Sequence, residues 1–152
     1  MFACYGTNVS ADATSSPRFS DGVVRGYSTN DTIVPHRTTF FGLFGRNAEC
    51  GDAYPFNLPM TWLAQRDEID LTKPVNFVST NDVAIGSAGS VVVNADLEVV
   101  GVVVDGNAES LHNDFVFTDD AARAVSTHVD GIIEALEKVY GADRVVEELV
   151  GR

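Results

Sequence analysis

Two stretches of the chain concentrate residue types that can do chemistry. The first runs Thr80-Asn81-Asp82-Val83-Ala84-Ile85-Gly86-Ser87-Ala88-Gly89-Ser90-Val91. Glycines such as Gly86 and Gly89 allow backbone conformations that a Cβ makes costly, so a loop of this kind can turn several N–H groups toward one point. Converging amides stabilise the oxyanion of a tetrahedral acyl-transfer intermediate. Ser87 and Ser90 carry hydroxyls, whereas Ala88 between them carries only a methyl. The same composition serves equally for a plain turn between two strands. The second stretch is Asp105-Gly106-Asn107, which suits an ordinary turn. A carboxylate there, buried and facing a cleft, would also suit an ammonium group, because a cation gains most from a full counter-charge in a partly desolvated site.

Acyl transfer through a side-chain hydroxyl would also need a general base and a residue that orients it. The histidines are His36, which follows a proline in a loop, His112 in a turn, and His128 at the start of the last helix; all three read as surface or capping residues. Cys4 and Cys50 could pair in an oxidising compartment, but two thiols make no framework and neither sits in a metal-binding spacing. No metal or other cofactor is expected.

The composition narrows the class further. With 152 residues and 45% hydrophobic content, the chain is long enough for one domain with a real core. Twenty-two acidic against ten basic residues give a formal net charge of −12. Such a surface repels phosphate backbones and anionic headgroups, so neither nucleic acid nor membrane is expected as a partner. Met1 to Ala11 has no basic or apolar signal region, and no run of eighteen apolar residues occurs.

The elements that would position these residues follow from pattern. Ala11 to Pro17 reads as a loop, and Arg18 to Tyr27 as a strand pair turning at Asp21-Gly22. Thr38 to Phe44 is a strand candidate followed by loop to Ala53, and Pro59 to Glu68 is a short helix. Val75 to Thr80, Val91 to Asn94, Val99 to Val104 and Phe115 to Phe117 are short apolar runs separated by Asn, Asp and Gly turns, the rhythm of a β-barrel or sandwich. From Val129 the period becomes helical, with Ile132, Ile133, Leu136, Val139 and Tyr140 on one face, and a break is expected at Gly141.

The loop from Thr80 to Val91 resembles one in the dipeptidyl-peptidase 7 and 11 family of chymotrypsin-like serine exopeptidases. That loop reads Thr-Asn-Asp-Ile, one variable residue, then Gly-Gly-Asn-Ser-Gly-Ser-Pro, its first serine being the nucleophile. On this pattern Ala88 stands at the nucleophile position, and Ile85, Ser87 and Val91 also depart from it. Val99 to Ser110 resembles the family's Leu-Val-Gly, two variable residues, Phe-Asp-Gly-Asn, a variable residue, then Glu-Ser, at the same distance from the loop; Val104 departs from the phenylalanine. Further likeness upstream (Ser16 to Tyr27, Pro74 to Thr80) and downstream (Arg123 to Val125 and the terminal helix) extends it over residues 11 to 150, leaving 1 to 10 unmatched and expected to be disordered.

The resemblance implies a mostly β fold: a six-stranded chymotrypsin-like barrel, one half of a double-barrel enzyme, closed by a C-terminal helix. It implies that the amides of Gly86 and Ala88 are oxyanion donors, that Asp105 binds a peptide's α-amino group, and that Gly106 shapes an open, uncharged primary specificity pocket. The ancestral reaction would be release of N-terminal dipeptides from peptides with a free N-terminus. The general base and its orienting residue would come from an N-terminal barrel that, with a helical domain, is expected to be a missing partner. Ser87 and Ser90 cannot substitute for a residue at 88, since each residue of chain spans about 3.3–3.6 Å. The expectation is an inactive, pseudoenzyme-like domain; a non-catalytic module for peptide N-termini and a structural fragment stay open, as does self-association through exposed apolar surface. Relatives of this kind are secreted or periplasmic.

Overall fold

The structure is a computed structural model that describes residues 19–84 and 86–151. The loop expected at Ala11 to Pro17, the disorder expected over 1 to 10, the pairing of Cys4, and the departure at Ile85 lie outside the described residues. The elements in chain order are β1 (Tyr27–Thr29), β2 (Thr32–Val34), β3 (Arg37–Thr39), α1 (Phe40–Glu49), α2 (Met60–Ala64), β4 (Pro74–Ser79), β5 (Val91–Val93), β6 (Val99–Gly106), β7 (Ala124–His128), α3 (Val129–Glu134) and α4 (Asp143–Val150). Short 3-10 turns occupy Arg66–Glu68 and Ala108–Asp114, and a π-helical turn, Ala135–Val139, follows α3. The chain folds as two compact units, each assembled from two separate segments. Among the described residues, one takes those up to Arg37 together with Phe77–Thr127, and the other takes Thr38–Asn76 and those from His128 onward.

The architecture is β-rich, as expected. The five longer-range strands form one sheet in the order β3-β4-β7-β6-β5, and β1 with β2 forms a separate hairpin. The hairpin pairs Tyr27 with Val34 and Thr29 with Thr32. Its two-residue loop, Asn30-Asp31, has positive φ at both positions, 48° and 59°. That geometry matches the twist of a tight antiparallel pair, and Asn and Asp accept it more readily than other L-residues. The hairpin expected at Asp21-Gly22 therefore lies one element later. Gly22 instead packs flat against the chain after β4, where a Cβ would come within 2.5 Å of the Asn81 nitrogen. Val24 makes an antiparallel bridge to Ser79.

β5 pairs antiparallel with β6, Val91 opposite Val102 and Val92 opposite Gly101, with an irregularity before Val93. Gly101 is fixed by contact: a Cβ there would lie 2.6 Å from the Phe77 ring and 2.5 Å from the Thr127 carbonyl oxygen. β7 has no counterpart in the sequence pattern. Its Ala124 and Ser126 are fully buried and small, as suits a strand inside a sheet between β4 and β6. Phe115 to Phe117 is not a strand; its residues follow the 3-10 turn with their side chains largely exposed.

Arg123 holds the first unit together from inside. Its side chain is buried and donates to four carbonyl oxygens at 2.6–2.9 Å, those of Arg25, Gly26, Asp119 and Ala122. The guanidinium also stacks 5.8 Å over the Tyr27 ring. Burial, and then the neighbouring Arg25 charge, push its pKa below the ordinary arginine value.

In the second unit, Thr38 to Phe44 is not one strand. Thr39 ends β3 and caps α1, its Oγ1 accepting from the Gly42 amide at 3.4 Å. Phe40, Phe44 and Asn47 then fall on one buried helix face at i, i+4 and i+7. Phe40, Phe44 and Ile69 form the core with Leu58, Trp62, Val75 and Val139 around them. Each buried phenylalanine contributes about 1.5–3 kcal/mol relative to exposure, more than the low helix propensity of two glycines costs. The helix expected over Pro59 to Glu68 is present as α2 and its 3-10 extension. The break expected at Gly141 is present too, with φ 59° there between the π-helical turn and α4. Among the described residues no helix is long and apolar enough to cross a membrane.

Candidate functional site

The glycine loop, the end of β6 and the following 3-10 turn enclose a cavity of about 300 Å³ in the first unit. Gly86 and Ala88 reach it from the loop, Asp105 and Gly106 from β6, and Ser110 and Leu111 from the turn. All four positions singled out by the sequence therefore border one space.

The loop is shaped by hydrogen bonds on both sides. On its N-terminal side, the Val23 amide donates to Thr80 Oγ1 at 3.0 Å, Asn81 Nδ2 to the Ser20 carbonyl at 2.6 Å, and the Asp82 amide to Ser20 Oγ at 2.8 Å. The Thr-Asn-Asp run is thus an anchor. A reciprocal pair then closes the turn, with the Ser87 amide donating to the Ala84 carbonyl at 3.0 Å and the Ala84 amide to Ser87 Oγ at 3.1 Å. Gly86 and Gly89 have φ of 95° and 90°, conformations costly for any residue with a Cβ. Beyond them the Gly89 amide donates to the Val103 carbonyl at 2.8 Å and the Val103 amide to the Ser90 carbonyl at 2.9 Å, which binds the loop to the middle of β6. Gly86 and Ala88 are exposed, and among the described residues none accepts from either amide.

Asp105 is exposed rather than buried, because it stands where β6 reaches the surface. One carboxylate oxygen accepts from the Gly106 amide at 2.8 Å. Among the described residues it is the only charged side chain bordering the cavity. Gly106 does not open into free space. A Cβ there would overlap Ser110 Oγ and lie 3.3 Å from Ser110 Cβ and 3.5 Å from Val83 Cγ2. Ser110 Oγ is held by donating to the Asn107 carbonyl at 2.7 Å.

Asn107 is a positioning residue that composition did not single out. Its backbone amide donates to the Arg123 carbonyl at 2.9 Å, its Oδ1 accepts from the Arg123 amide at 2.8 Å, and its Nδ2 donates to the Ala121 carbonyl at 2.7 Å. It clamps the end of β6 beside Asp105. Its place after Asp-Gly was the available signal, since Asn side chains favour backbone pairing at turns.

None of the three histidines borders the cavity. His112 Nε2 lies 3.2 Å from Thr118 Oγ1, His128 Nδ1 accepts from the Asp130 amide at 3.1 Å as a helix cap, and His36 is exposed. Among the described residues no group of three or more His, Cys, Asp or Glu side chains is arranged to hold a metal ion.

The sheet and its loops match peptidase structures already solved. Dipeptidyl-peptidase 11 of Porphyromonas endodontalis in complex with the dipeptide Arg-Asp superposes with a TM-score of 0.82 over 97% of this chain and 22% of that one, at 22% sequence identity. The same protein with Arg-Glu gives 0.77 over 86% of this chain and 20% of that one, at 22% identity. The fold is therefore that of this class of exopeptidase domain. The peptidase S46 family model matches residues 1–151, and the chain belongs to that family. Among characterised relatives, the Asp/Glu-specific dipeptidyl-peptidase of Porphyromonas gingivalis is 29% identical over 147 residues, covering 91% of this chain and 20% of the relative. Dipeptidyl-peptidase 7 of Phocaeicola vulgatus is 24% identical over 145 residues, again 91% and 20%. The chain thus spans about a fifth of the length of the curated relatives it matches.

Proposed function

We propose that this chain is a dipeptidyl-peptidase-like serine peptidase domain that retains the grip on a peptide's amino end and has lost the chemistry that cleaves it. The observation that carries this is the cavity itself. Gly86, Ala88, Asp105 and Gly106 border it together, with a methyl at the place of the nucleophile and no imidazole on its wall. Asp105 would pair with the α-ammonium, and the space against Gly106 and Ser110 would take a side chain. The amides of Gly86 and Ala88 would face the carbonyl oxygen that an active relative attacks. Ser87 Oγ accepts from the Ala84 amide, which holds it back in the turn rather than at position 88.

Catalysis needs a nucleophile and a base together, and loss of either leaves only about 10³ to 10⁴-fold acceleration over water, below ordinary detection. With a methyl at residue 88, purified protein is expected to hydrolyse dipeptidyl chromogenic substrates at background. Peptides with a free N-terminus are expected to bind, and their N-acetylated counterparts not to. Turnover abolished by Ser87→Ala or Ser90→Ala would refute the loss of chemistry. Equal binding of free and acetylated peptides would refute the role of Asp105.

A further inference from the structure

We propose that the loop tip Phe115-Val116-Phe117 is a docking point for a protein partner that presents apolar side chains among lysines or arginines. None of these three residues borders the cavity, so this surface does not depend on the binding role given to Asp105.

Three observations carry it. The first is a contiguous run of exposed apolar side chains: Phe115, Val116 and Phe117 are 84%, 66% and 53% exposed. Single exposed apolar residues are ordinary on a protein surface, whereas a run of large ones marks a place of contact. The second is that the tip is held in position. Buried Asn113 closes the loop, its Oδ1 accepting from the Thr118 amide at 3.1 Å and its Nδ2 donating to the Thr118 carbonyl at 3.2 Å. His112 Nε2 lies 3.2 Å from Thr118 Oγ1, and the His112 carbonyl accepts from the amides of Phe115 and Val116, each at 3.0 Å. A tip ordered in advance has little conformational freedom left to lose on association. The third observation is charge. Between Lys73 and Arg123 the sequence holds eight acidic residues and no lysine or arginine. Asp105 precedes the loop, Asp119 and Asp120 follow it, and all three are exposed. Arg25 pairs with Asp119, while the Arg123 side chain is buried among carbonyl oxygens. Acidic flanks beside apolar anchors complement a partner of opposite charge, and they repel a second copy, which would bring the same carboxylates.

Fluorescence anisotropy tests this with two labelled synthetic peptides: an amphipathic helix of leucines and lysines, and a twin in which every lysine is glutamate. The lysine peptide is expected to bind, more weakly as salt rises, and the glutamate twin at least tenfold less tightly. The double variant Phe115→Ser/Phe117→Ser, its fold checked by circular dichroism, should weaken the lysine peptide by about tenfold or more, as truncation of an anchoring side chain does. Leu149→Ser, which removes an exposed leucine of α4, should leave that affinity unchanged. Equal affinity of the parent and the double variant would overturn the role of the tip, and equal affinity for the two peptides would overturn the charge complementarity. Two controls address other occupants. Self-association of the unliganded parent in sedimentation, lost in the double variant, would replace the basic partner by a second copy. Flotation of the parent with phosphatidylcholine vesicles, lost in the double variant, would replace it by a lipid surface. Failure of the lysine peptide to bind at low salt would overturn the proposal outright.

Discussion

The Gly106→Ala substitution would drive a methyl into the space that Ser110 Oγ occupies, and the structure sets the size of the effect. The backbone at Gly106 is not among the positive-φ glycines, so the added Cβ meets no backbone strain. The overlap is with a hydroxyl that can rotate, while the next contacts, Ser110 Cβ at 3.3 Å and Val83 Cγ2 at 3.5 Å, are tight but tolerable. Rotation sacrifices the 2.7 Å hydrogen bond from Ser110 Oγ to the Asn107 carbonyl, worth about 1 kcal/mol. Against this, replacing glycine restricts the unfolded chain and returns about 0.4–1 kcal/mol. Gly106→Ala alone should therefore be neutral to slightly destabilising, and Ser110→Ala alone should cost about 1 kcal/mol. In the double variant the hydrogen bond is lost only once, so the two changes should be coupled by about 1 kcal/mol. Urea denaturation of the four proteins, with unchanged m, measures this directly. Additivity within about 0.3 kcal/mol would show that Ser110 Oγ does not fill the space beside Gly106.

Two further outcomes follow from other side chains. Lys73 donates to the buried Glu134 carboxylate at 2.9 Å, and that hydrogen bond holds its ammonium above the ordinary 10.5. A raised folded-state value means that the contribution is complete below the unfolded value and is lost as pH rises through the folded one. Thermal melts should show Glu134→Gln destabilised near neutrality and converging with the parent at strongly alkaline pH; a constant gap would refute the link. Arg123→Leu removes the donor of five carbonyls, and with each unsatisfied acceptor costing about 1–3 kcal/mol, partial solvent access leaves a loss of roughly 2–4 kcal/mol. Arg123→Lys should recover only part of it, since an ammonium cannot fork between Arg25, Gly26 and Asp119; full recovery in urea denaturation would show that charge alone matters.

What the sequence could show depended on how local the cause was. β4, β5, β6 and the terminal helix are apolar runs of the right period, so their elements were visible. α1 was not, because Phe-Phe-Gly-Leu-Phe has β-like content, and only the packing of Phe40 and Phe44 against Ile69 selects a helix. β7 escaped notice because Ala, Ser and Thr carry little hydrophobic signal, although burial between two other strands demands small residues. At the site, it was the resemblance to the family's two motifs that pointed to Gly86, Ala88, Asp105 and Gly106, and these four border one cavity. The approach of Ser110 to Gly106 and the clamp at Asn107 depend on tertiary contacts with Val83 and with Ala121 to Arg123 that no spacing reveals. The exposure of Asp105 likewise depends on where β6 ends.

The interleaving of the two units bears on how the chain can be made. The core around Phe40, Phe44 and Ile69 emerges from the ribosome well before Val139, which packs on it, and before Glu134, whose carboxylate accepts from the Asp70 amide at 2.8 Å. Between these segments lies the whole stretch Phe77–Thr127 of the other unit. At roughly 5–20 residues per second, translation of those fifty or so residues takes several seconds. During that interval the phenylalanine helix must wait half-covered while the glycine loop and the strand bearing Asp105 are already free to assemble. The unit that carries the cavity can thus be finished first, and the later segment closes a core that was begun before it.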